Sequence, residues 1–200
     1  APAARAPPRV AILGLGSVGR GGDEHLRKVP GEFESVGIAA RHAAKHPDIP
    51  DAIFTTDAAA LAARAGDIVV ESIGGLHPAL EAARAALSRG AHFVTANKAL
   101  IAAHGDELRA LAKQHGGSLR YSASVGGGVP VLELARRLAS KSVVSIEAVL
   151  NGTSNYVLDA CASGNTLDEA VKSAQQLGFA EADPSRDLDG RDAGDKLAVL

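Results

Sequence analysis

The sequence predicts an α/β fold: a doubly wound, mostly parallel sheet followed by a smaller, incomplete mixed α/β region. Short Val- and Ile-rich runs alternate with Ala/Leu/Arg stretches of helical period, which is how strands covered by helices on both faces read. Aromatics make up 3% of the chain, with neither Trp nor Met, while Ala and Gly abound. A core of small and branched aliphatics must close-pack in layers, which suits helices lying on a sheet. Third, a Gly-rich turn sits directly after the first apolar run, where a strand would hand over to a helix. At 200 residues, 46% of them hydrophobic, the chain is long enough for two compact lobes.

Strands are expected near 9–13, 36–40, 53–55, 67–71, 92–95 and 119–122, with helices filling the gaps. The domain boundaries expected are 9–125 for the first lobe and 126–200 for the second. After Pro130 the pattern changes to a helix through Leu138, a β-rich run over 142–150, and three helical segments separated by Gly164, Gly178 and the polar loop 181–189. Thr166-Leu167-Asp168-Glu169 fits a capping box, and Asp189 is a plausible N-cap for the last helix. That helix reaches Leu200 without a stop signal, which reads as a chain cut short. Residues 1–8 are Pro/Ala-rich and read as a disordered lead-in.

The formal net charge of −2 offers no basic excess for a run of phosphates, so nucleic acid is excluded and small molecules are the expected partners. No apolar run spans a bilayer and no signal-peptide pattern is present, so no membrane role is expected and the cytoplasm is the default compartment. The single cysteine, Cys161, lies in an apolar helical stretch and reads as a packing residue rather than a nucleophile. His42 and His46 have i, i+4 spacing, but Pro47 follows and no third ligand is in register, which argues against a transition-metal site.

Gly14-Leu15-Gly16-Ser17-Val18-Gly19 is a G-x-G-x-x-G between a strand and a helix. Gly14 permits the tight turn, Gly16 lets the backbone approach a pyrophosphate, and Gly19 allows helix and sheet to pack closely. Free N–H groups and the helix dipole attract the phosphates. The alternative is a glycine turn with no ligand, but its position favours a Rossmann-type dinucleotide site. An NAD-selective site would place an acid near the end of the second strand, whereas Ile38-Ala39-Ala40 runs into Arg41 and then Lys45. NADP(H) is therefore favoured over NAD(H), against the alternative of two solvated surface cations.

Ser72-Ile73-Gly74-Gly75 and Thr95-Ala96-Asn97-Lys98 fall at the carboxyl ends of expected strands, where ligands of open α/β sheets bind. The paired glycines allow close approach of a cofactor or simply make a tight turn. Lys98 either polarises a carbonyl near the transferred hydride or is a surface cation at a helix start. Asp192 and Lys196 are i, i+4 on one helix face, a spacing that by itself favours an ordinary exposed ion pair. The acids crowded around them suit a substrate with a cationic amino group.

These motifs, the two strand-end loops taken as Glu71-Ser72-Ile73-Gly74-Gly75 and Thr95-Ala96-Asn97-Lys98-Ala99-Leu100, with Leu150-Asn151-Gly152-Thr153-Ser154-Asn155-Tyr156 and Leu177-Gly178-Phe179-Ala180-Glu181-Ala182-Asp183-Pro184 and its Asp-rich continuation to Lys196, stand in an order that resembles the homoserine dehydrogenases from Arg9 onward. The resemblance implies a Rossmann domain followed by a region for catalysis and homodimerisation, and interconversion of L-aspartate 4-semialdehyde and L-homoserine. By resemblance, Lys98 and Lys196 match the two active-site lysines and Asp192 the catalytic-site aspartate. Glu181 and Asp187 match acids at the substrate's amino end, and Gly152 and Thr153 match positions lining its pocket. Members often carry a Glu as ligand for a monovalent cation where Ser122 stands here, leaving the backbone carbonyls of Val125, Gly127 and Val129 as candidate ligands. Members also continue well beyond the helix carrying Lys196. Two alternatives accompany this reading: a truncated, non-catalytic nucleotide-binding module, and another NAD(P)-dependent amino-acid dehydrogenase. An acylating semialdehyde dehydrogenase would need a cysteine nucleophile, for which only Cys161 is available.

Overall fold

The computed structural model describes residues 6–42 and 45–200. The chain divides into two compact units, Ala1–Val129 and Pro130–Leu200. In the first, strands β1 (Arg9–Leu13), β2 (Glu34–Ala39), β3 (Phe54–Thr55), β4 (Ile68–Glu71), β5 (His92–Thr95) and β6 (Ser118–Arg120) alternate with helices α1 (Ser17–Lys28), α2 (Ala58–Arg64), α3 (Ala79–Ser88) and α4 (Lys98–His115). The six strands form one sheet in the order β3-β2-β1-β4-β5-β6, with every neighbouring pair parallel. The order reverses between β1 and β4, the position at which doubly wound sheets open a ligand crevice beyond their carboxyl ends. Register sharpens this: Ala39, Leu13, Glu71 and Thr95 stand in one row across β2, β1, β4 and β5. The four loops that follow are therefore neighbours.

Both faces of the sheet are buried, as β1 shows by alternation. Ala11 and Leu13 pack with Val69, Phe93, Leu87 and Leu108 on one side. Val10 and Ile12 pack with Ile38 and Ile49 on the other. The alanines of α2 and α3 let these helices lie close to the strands, with Ala62, Ala82, Ala83 and Ala86 wholly buried.

The differences from expectation are local. β2 starts at Glu34, and the amide of Glu34 donates to the carbonyl of Pro8 at 3.0 Å, tying the described end of the lead-in to the sheet. The remainder of that lead-in, residues 1–5, lies outside the described residues. β3 is only two residues long because Asp51–Ile53 winds into a 3-10 turn, and a second such turn, Ser122–Ser124, follows the short β6.

The second unit contains α5 (Val131–Leu138), α6 (Gly152–Ala162), α7 (Leu167–Gln176), α8 (Ser185–Leu188) and α9 (Arg191–Val199). A small core of Val157, Ala170 and Ala174 joins α6 to α7, with Cys161 packed at its edge. The β-rich run 142–150 forms no strand or bridge. Alternating Val and Ile specify strand propensity but not a ladder partner, and Val143, Val144, Ile146 and Val149 are exposed. The N-cap of α9 is Gly190, not Asp189. Its φ of 81° is a left-handed conformation suited to glycine, while Asp189 one residue earlier accepts from the amide of Arg191 at 3.0 Å. Among the described residues, no helix is long and apolar enough to cross a membrane.

The capping box forms as expected: Thr166 Oγ1 accepts from the amide of Glu169, whose carboxylate accepts from the amide of Thr166 at 2.9 Å. The backbone hydrogen bond at Thr166, and then its side-chain hydrogen bond, hold Glu169 below the usual glutamate range. A depressed folded pKa adds stability above the unfolded value, and this is lost as pH falls through the folded one. Thr166→Ala is expected to cost about 1 kcal/mol in denaturant titrations at neutral pH. Glu169→Gln should flatten the acid limb of the stability profile; an unaltered acid limb would show that the box contributes nothing there.

Candidate active site

At the reversal point, β1 is followed directly by Gly14, whose φ of 94° lies in the left-handed region. A Cβ there would also stand 2.9 Å from the Ser72 backbone. At Gly19 a Cβ would fall 1.9 Å from the carbonyl oxygen of Gly14, so only glycine lets α1 seat against the turn. Gly16 differs: nothing in the protein lies within 4 Å of a Cβ built on it. Two of the three glycines are thus required by the protein's own packing, and the third borders open space where a ligand's phosphates would approach. Gly16 is the N-cap of α1 and supplies no side-chain cap, while Ser17 and Val18 of the first turn are exposed. The helix N-terminus is left with donors and dipole for an anion. The loop fits a dinucleotide pyrophosphate.

Ser72 closes the other side of this turn, its hydroxyl donating to the carbonyl of Gly14 at 3.1 Å. Gly74 and Gly75 follow with φ of 78° and 72°. Beside them, Asn97 is the N-cap of α4: its Oδ1 accepts from the amide of Leu100 at 3.1 Å and its Nδ2 donates to the carbonyl of Gly75 at 2.6 Å. Lys98, half-buried, opens the helix that Asn97 caps. Thr95, buried at the end of β5, accepts from the amide of Asn97 at 2.9 Å.

A cleft of about 500 Å³ runs over the loops that follow β1, β2 and β4, lined by Gly14, Gly16, Arg41, Lys45, Ser72 and Gly74; Thr95 and Lys98 do not line it. Arg41 and Lys45 are exposed yet belong to this cleft, beyond the end of β2 where Ala39 and Ala40 offer no carboxylate. His46 also lines it. Arg20 of α1 meets His46 Nδ1 at 2.8 Å and donates to Asp48 at 2.5 Å, and the bond to Asp48 holds that carboxyl below the usual aspartate range.

In the second unit, Asp192 and Lys196 are not the solvated pair that spacing alone favours. Their side chains are 13% and 19% exposed and meet at 2.6 Å, and the Lys196 ammonium also donates to the carbonyl of Leu150 at 2.7 Å. Asn151 donates through Nδ2 to Asp187 at 2.7 Å and to Asp192 at 2.8 Å, while its Oδ1 caps α6 by accepting from Ser154. Thr153 is buried, donating to the carbonyl of Phe179 at 2.6 Å, and Gly152 begins α6. Glu181 lies exposed on the following loop, its carbonyl accepting from Gln175. Val125 is buried at the end of its 3-10 turn, Gly127 has a φ of 58°, and Val129 is exposed. Sequence reasoning assigned no role to Glu71, Asn97 or Asn151. The signal for the two asparagines was present, since each directly precedes a helix and Asn is a preferred N-cap.

A parallel sheet in this order, with a glycine turn at its reversal point that fits a pyrophosphate, defines a Rossmann-type dinucleotide-binding protein. Residues 14–122 match the family model for the homoserine dehydrogenase NAD-binding domain, and residues 130–200 match the homoserine dehydrogenase model. The chain belongs to the homoserine dehydrogenase family. It is 41% identical to the homoserine dehydrogenase of Synechocystis sp. over 96% of its own length and 47% of the relative's. It is 40% identical to that of Corynebacterium glutamicum over 96% and 46%. Among solved structures it resembles a homoserine dehydrogenase from Thiobacillus denitrificans (TM-score 0.81, 38% identity, 96% and 47% of the two chains). It also resembles a hyperthermophilic archaeal homoserine dehydrogenase in complex with NADPH (TM-score 0.86, 29% identity, 97% and 68%). The chain spans about half the length of the curated relatives it matches.

The glycines make separable predictions. Gly16→Ala, with an ordinary φ of −70° and open space around it, is expected to leave the melting temperature unchanged while weakening NADPH binding about tenfold. Gly19→Ala should lower both. Fluorescence titration of NADPH alongside thermal melts checks the pair; equal effects at the two positions would contradict the assignment.

Proposed function

We propose that the full-length protein is a cytoplasmic homoserine dehydrogenase that interconverts L-aspartate 4-semialdehyde and L-homoserine with NADP(H). The reading rests on the Asp192–Lys196 pair, mostly withdrawn from solvent, with Asp192 held by Asn151, in a chain that also carries the glycine cleft and Lys98. When bound, the nicotinamide supplies or accepts the hydride. The residues proposed to hold the cofactor are Gly14, Gly16, Ser17, Val18 and Gly19 at the pyrophosphate, and Ser72, Gly74, Gly75, Thr95 and Lys98 toward the nicotinamide. Arg41 and Lys45 are proposed to receive the 2′-phosphate, which their cleft-lining positions and the missing acid at the end of β2 support.

Lys98 and Lys196 are assigned to stabilise negative charge on the substrate's carbonyl oxygen and to hold the proton it takes up. An ammonium has three donors. Asp192 and the Leu150 carbonyl engage two on Lys196, which orients the third. Asp192 and the Leu150 carbonyl thereby hold the lysine side chain in one orientation. Asp187 and Glu181 are proposed to face the substrate's amino group, with Gly152 and Thr153 forming the adjoining wall.

A monovalent cation bound by the carbonyls of Val125, Gly127 and Val129 is part of the proposal, supported by positive φ at Gly126 and Gly127. So is a homodimer. Its support is an apolar groove of about 630 Å³ in the second unit, lined by Val131, Leu134, Leu138, Val143, Ile146 and Leu200.

In the full-length enzyme, Lys98→Ala and Lys196→Ala are each expected to reduce turnover about a hundredfold or more, followed as NADPH absorbance with aspartate semialdehyde. Changes below threefold in both would remove the mechanism. Replacing Arg41 and Lys45 together by Ala should raise the NADPH KM about tenfold, roughly the loss of one charge-assisted contact, with the NADH KM within twofold. Equal shifts for the two cofactors would contradict the 2′-phosphate assignment.

A further inference from the structure

Glu71 is 1% exposed, at the end of β4 on the same strand face as the core residue Val69. An apolar side chain would be expected there, because burying a carboxylate costs several kcal/mol unless its oxygens are satisfied. They are satisfied by groups whose positions matter to the cofactor cleft. Oε1 accepts from the amides of Ile73 and Gly74 at 2.7 and 3.1 Å, and Oε2 accepts from the Thr95 hydroxyl at 2.5 Å. Thr95 Oγ1 in turn accepts from the amide of Asn97, and Asn97 Nδ2 donates to the carbonyl of Gly75. The hydrogen bonds close a ring, Glu71 to Thr95 to Asn97 to Gly75 and back along the loop to Glu71.

We propose that Glu71 is a positioning residue for cofactor binding: its buried carboxylate sets the height of the 72–75 loop and locks that loop to the N-terminus of α4, which begins with Lys98. Three observations converge on this. Gly74 and Gly75 take left-handed φ with nothing near their Cβ positions, so side-chain packing does not hold them. The amides of Ile73 and Gly74 reach into the protein for their acceptor. The acceptor belongs to a strand residue in register with Thr95, so the loop inherits the rigidity of the sheet. Ser72 extends the lock to the Gly14 turn. One ionisable side chain thereby couples the pyrophosphate turn, the glycine pair and the first residue of α4, and a displacement of about 1 Å in such parts is enough to cost two orders of magnitude in rate.

The inference rests on the nicotinamide-binding part of the proposed function. It also distinguishes geometry from charge. In Glu71→Gln, Oε1 still serves the two loop amides and Nε2 donates to the second lone pair of Thr95 Oγ1, so the ring survives with one bond reversed. In Glu71→Leu three donors lose their acceptor. In Thr95→Val, nearly isosteric, two ring bonds are lost, the one to Glu71 Oε2 and the one from the Asn97 amide.

The test uses the full-length enzyme, at a temperature at which thermal melts show each variant folded, with NADPH affinity read by fluorescence and semialdehyde KM at saturating NADPH. Glu71→Leu is expected to raise the NADPH Kd at least tenfold and to lower kcat. Thr95→Val should raise the Kd at least threefold, and Glu71→Gln should stay within threefold of wild type. The semialdehyde KM should move by less than twofold throughout, a split that general destabilisation would not produce. Should Glu71→Leu fail to fold, Asn97→Ser decides: serine still caps α4 but loses the donor to the Gly75 carbonyl, and the Kd should rise at least threefold. Kd values within twofold of wild type for the ring-breaking variants, or a Glu71→Gln as impaired as Glu71→Leu, overturn the proposal. A wild-type enzyme that binds no NADPH would overturn the functional reading as well.

Discussion

The approach of α1 to the carbonyl of Gly14 is the constraint on which the nucleotide-binding unit turns. Strand order reverses at this point, so the connections leaving β1 and β4 diverge and leave a crevice above the carboxyl ends. For that crevice to end in a helix N-terminus, the helix must begin within a few residues of the strand and still clear the turn it has just made. The absent side chain at Gly19 makes room, and Ser72 fills the remaining gap with a hydrogen bond rather than with bulk. The layered alanines of α2 and α3 serve the same economy of space on the opposite face of the sheet.

The two units handle buried polarity in a similar way. In each, an asparagine caps a helix with its carbonyl oxygen and spends its amide nitrogen on another segment. Asn97 reaches the glycine pair, and Asn151 reaches the carboxylates of Asp187 and Asp192. A capping side chain is already held in one rotamer by the helix it starts, so a second contact made by the same amide costs little further entropy. Each proposed catalytic lysine stands next to such a cap: Lys98 follows Asn97 in the chain, and Lys196 donates to the carbonyl of Leu150, the residue before Asn151.

Much of the nucleotide-binding unit was legible because its strands are buried on both faces and its turns carry glycine. Periodicity located all six strands to within a few residues, and the glycine spacing located the cleft. The misreadings share a cause, which is that local pattern reports propensity and not partnership. Residues 142–150 read as a strand, yet a strand exists only where another offers its backbone. Asp189 read as a cap, but the chain needed a left-handed residue at the boundary and used Gly190. Spacing rated Asp192 and Lys196 as surface charges because it carries no information about what folds over them. Glu71 stood in a recognised motif, but its role escaped because its partners are backbone amides and a threonine on the next strand, none of which leaves a mark in composition.

Arg20 gives the cleft one more property. Its guanidinium joins α1 to Asp48 and His46, just past the segment that carries Arg41 and Lys45. Arg41 and Lys45, proposed to receive the 2′-phosphate, thus lie between two anchored points, the end of β2 before them and His46, which meets Arg20 of α1, after them. On the proposed 2′-phosphate reading, substitutions at Arg41 and Lys45 change charge between two fixed anchors, so cofactor preference becomes open to redesign with the glycine turn left untouched.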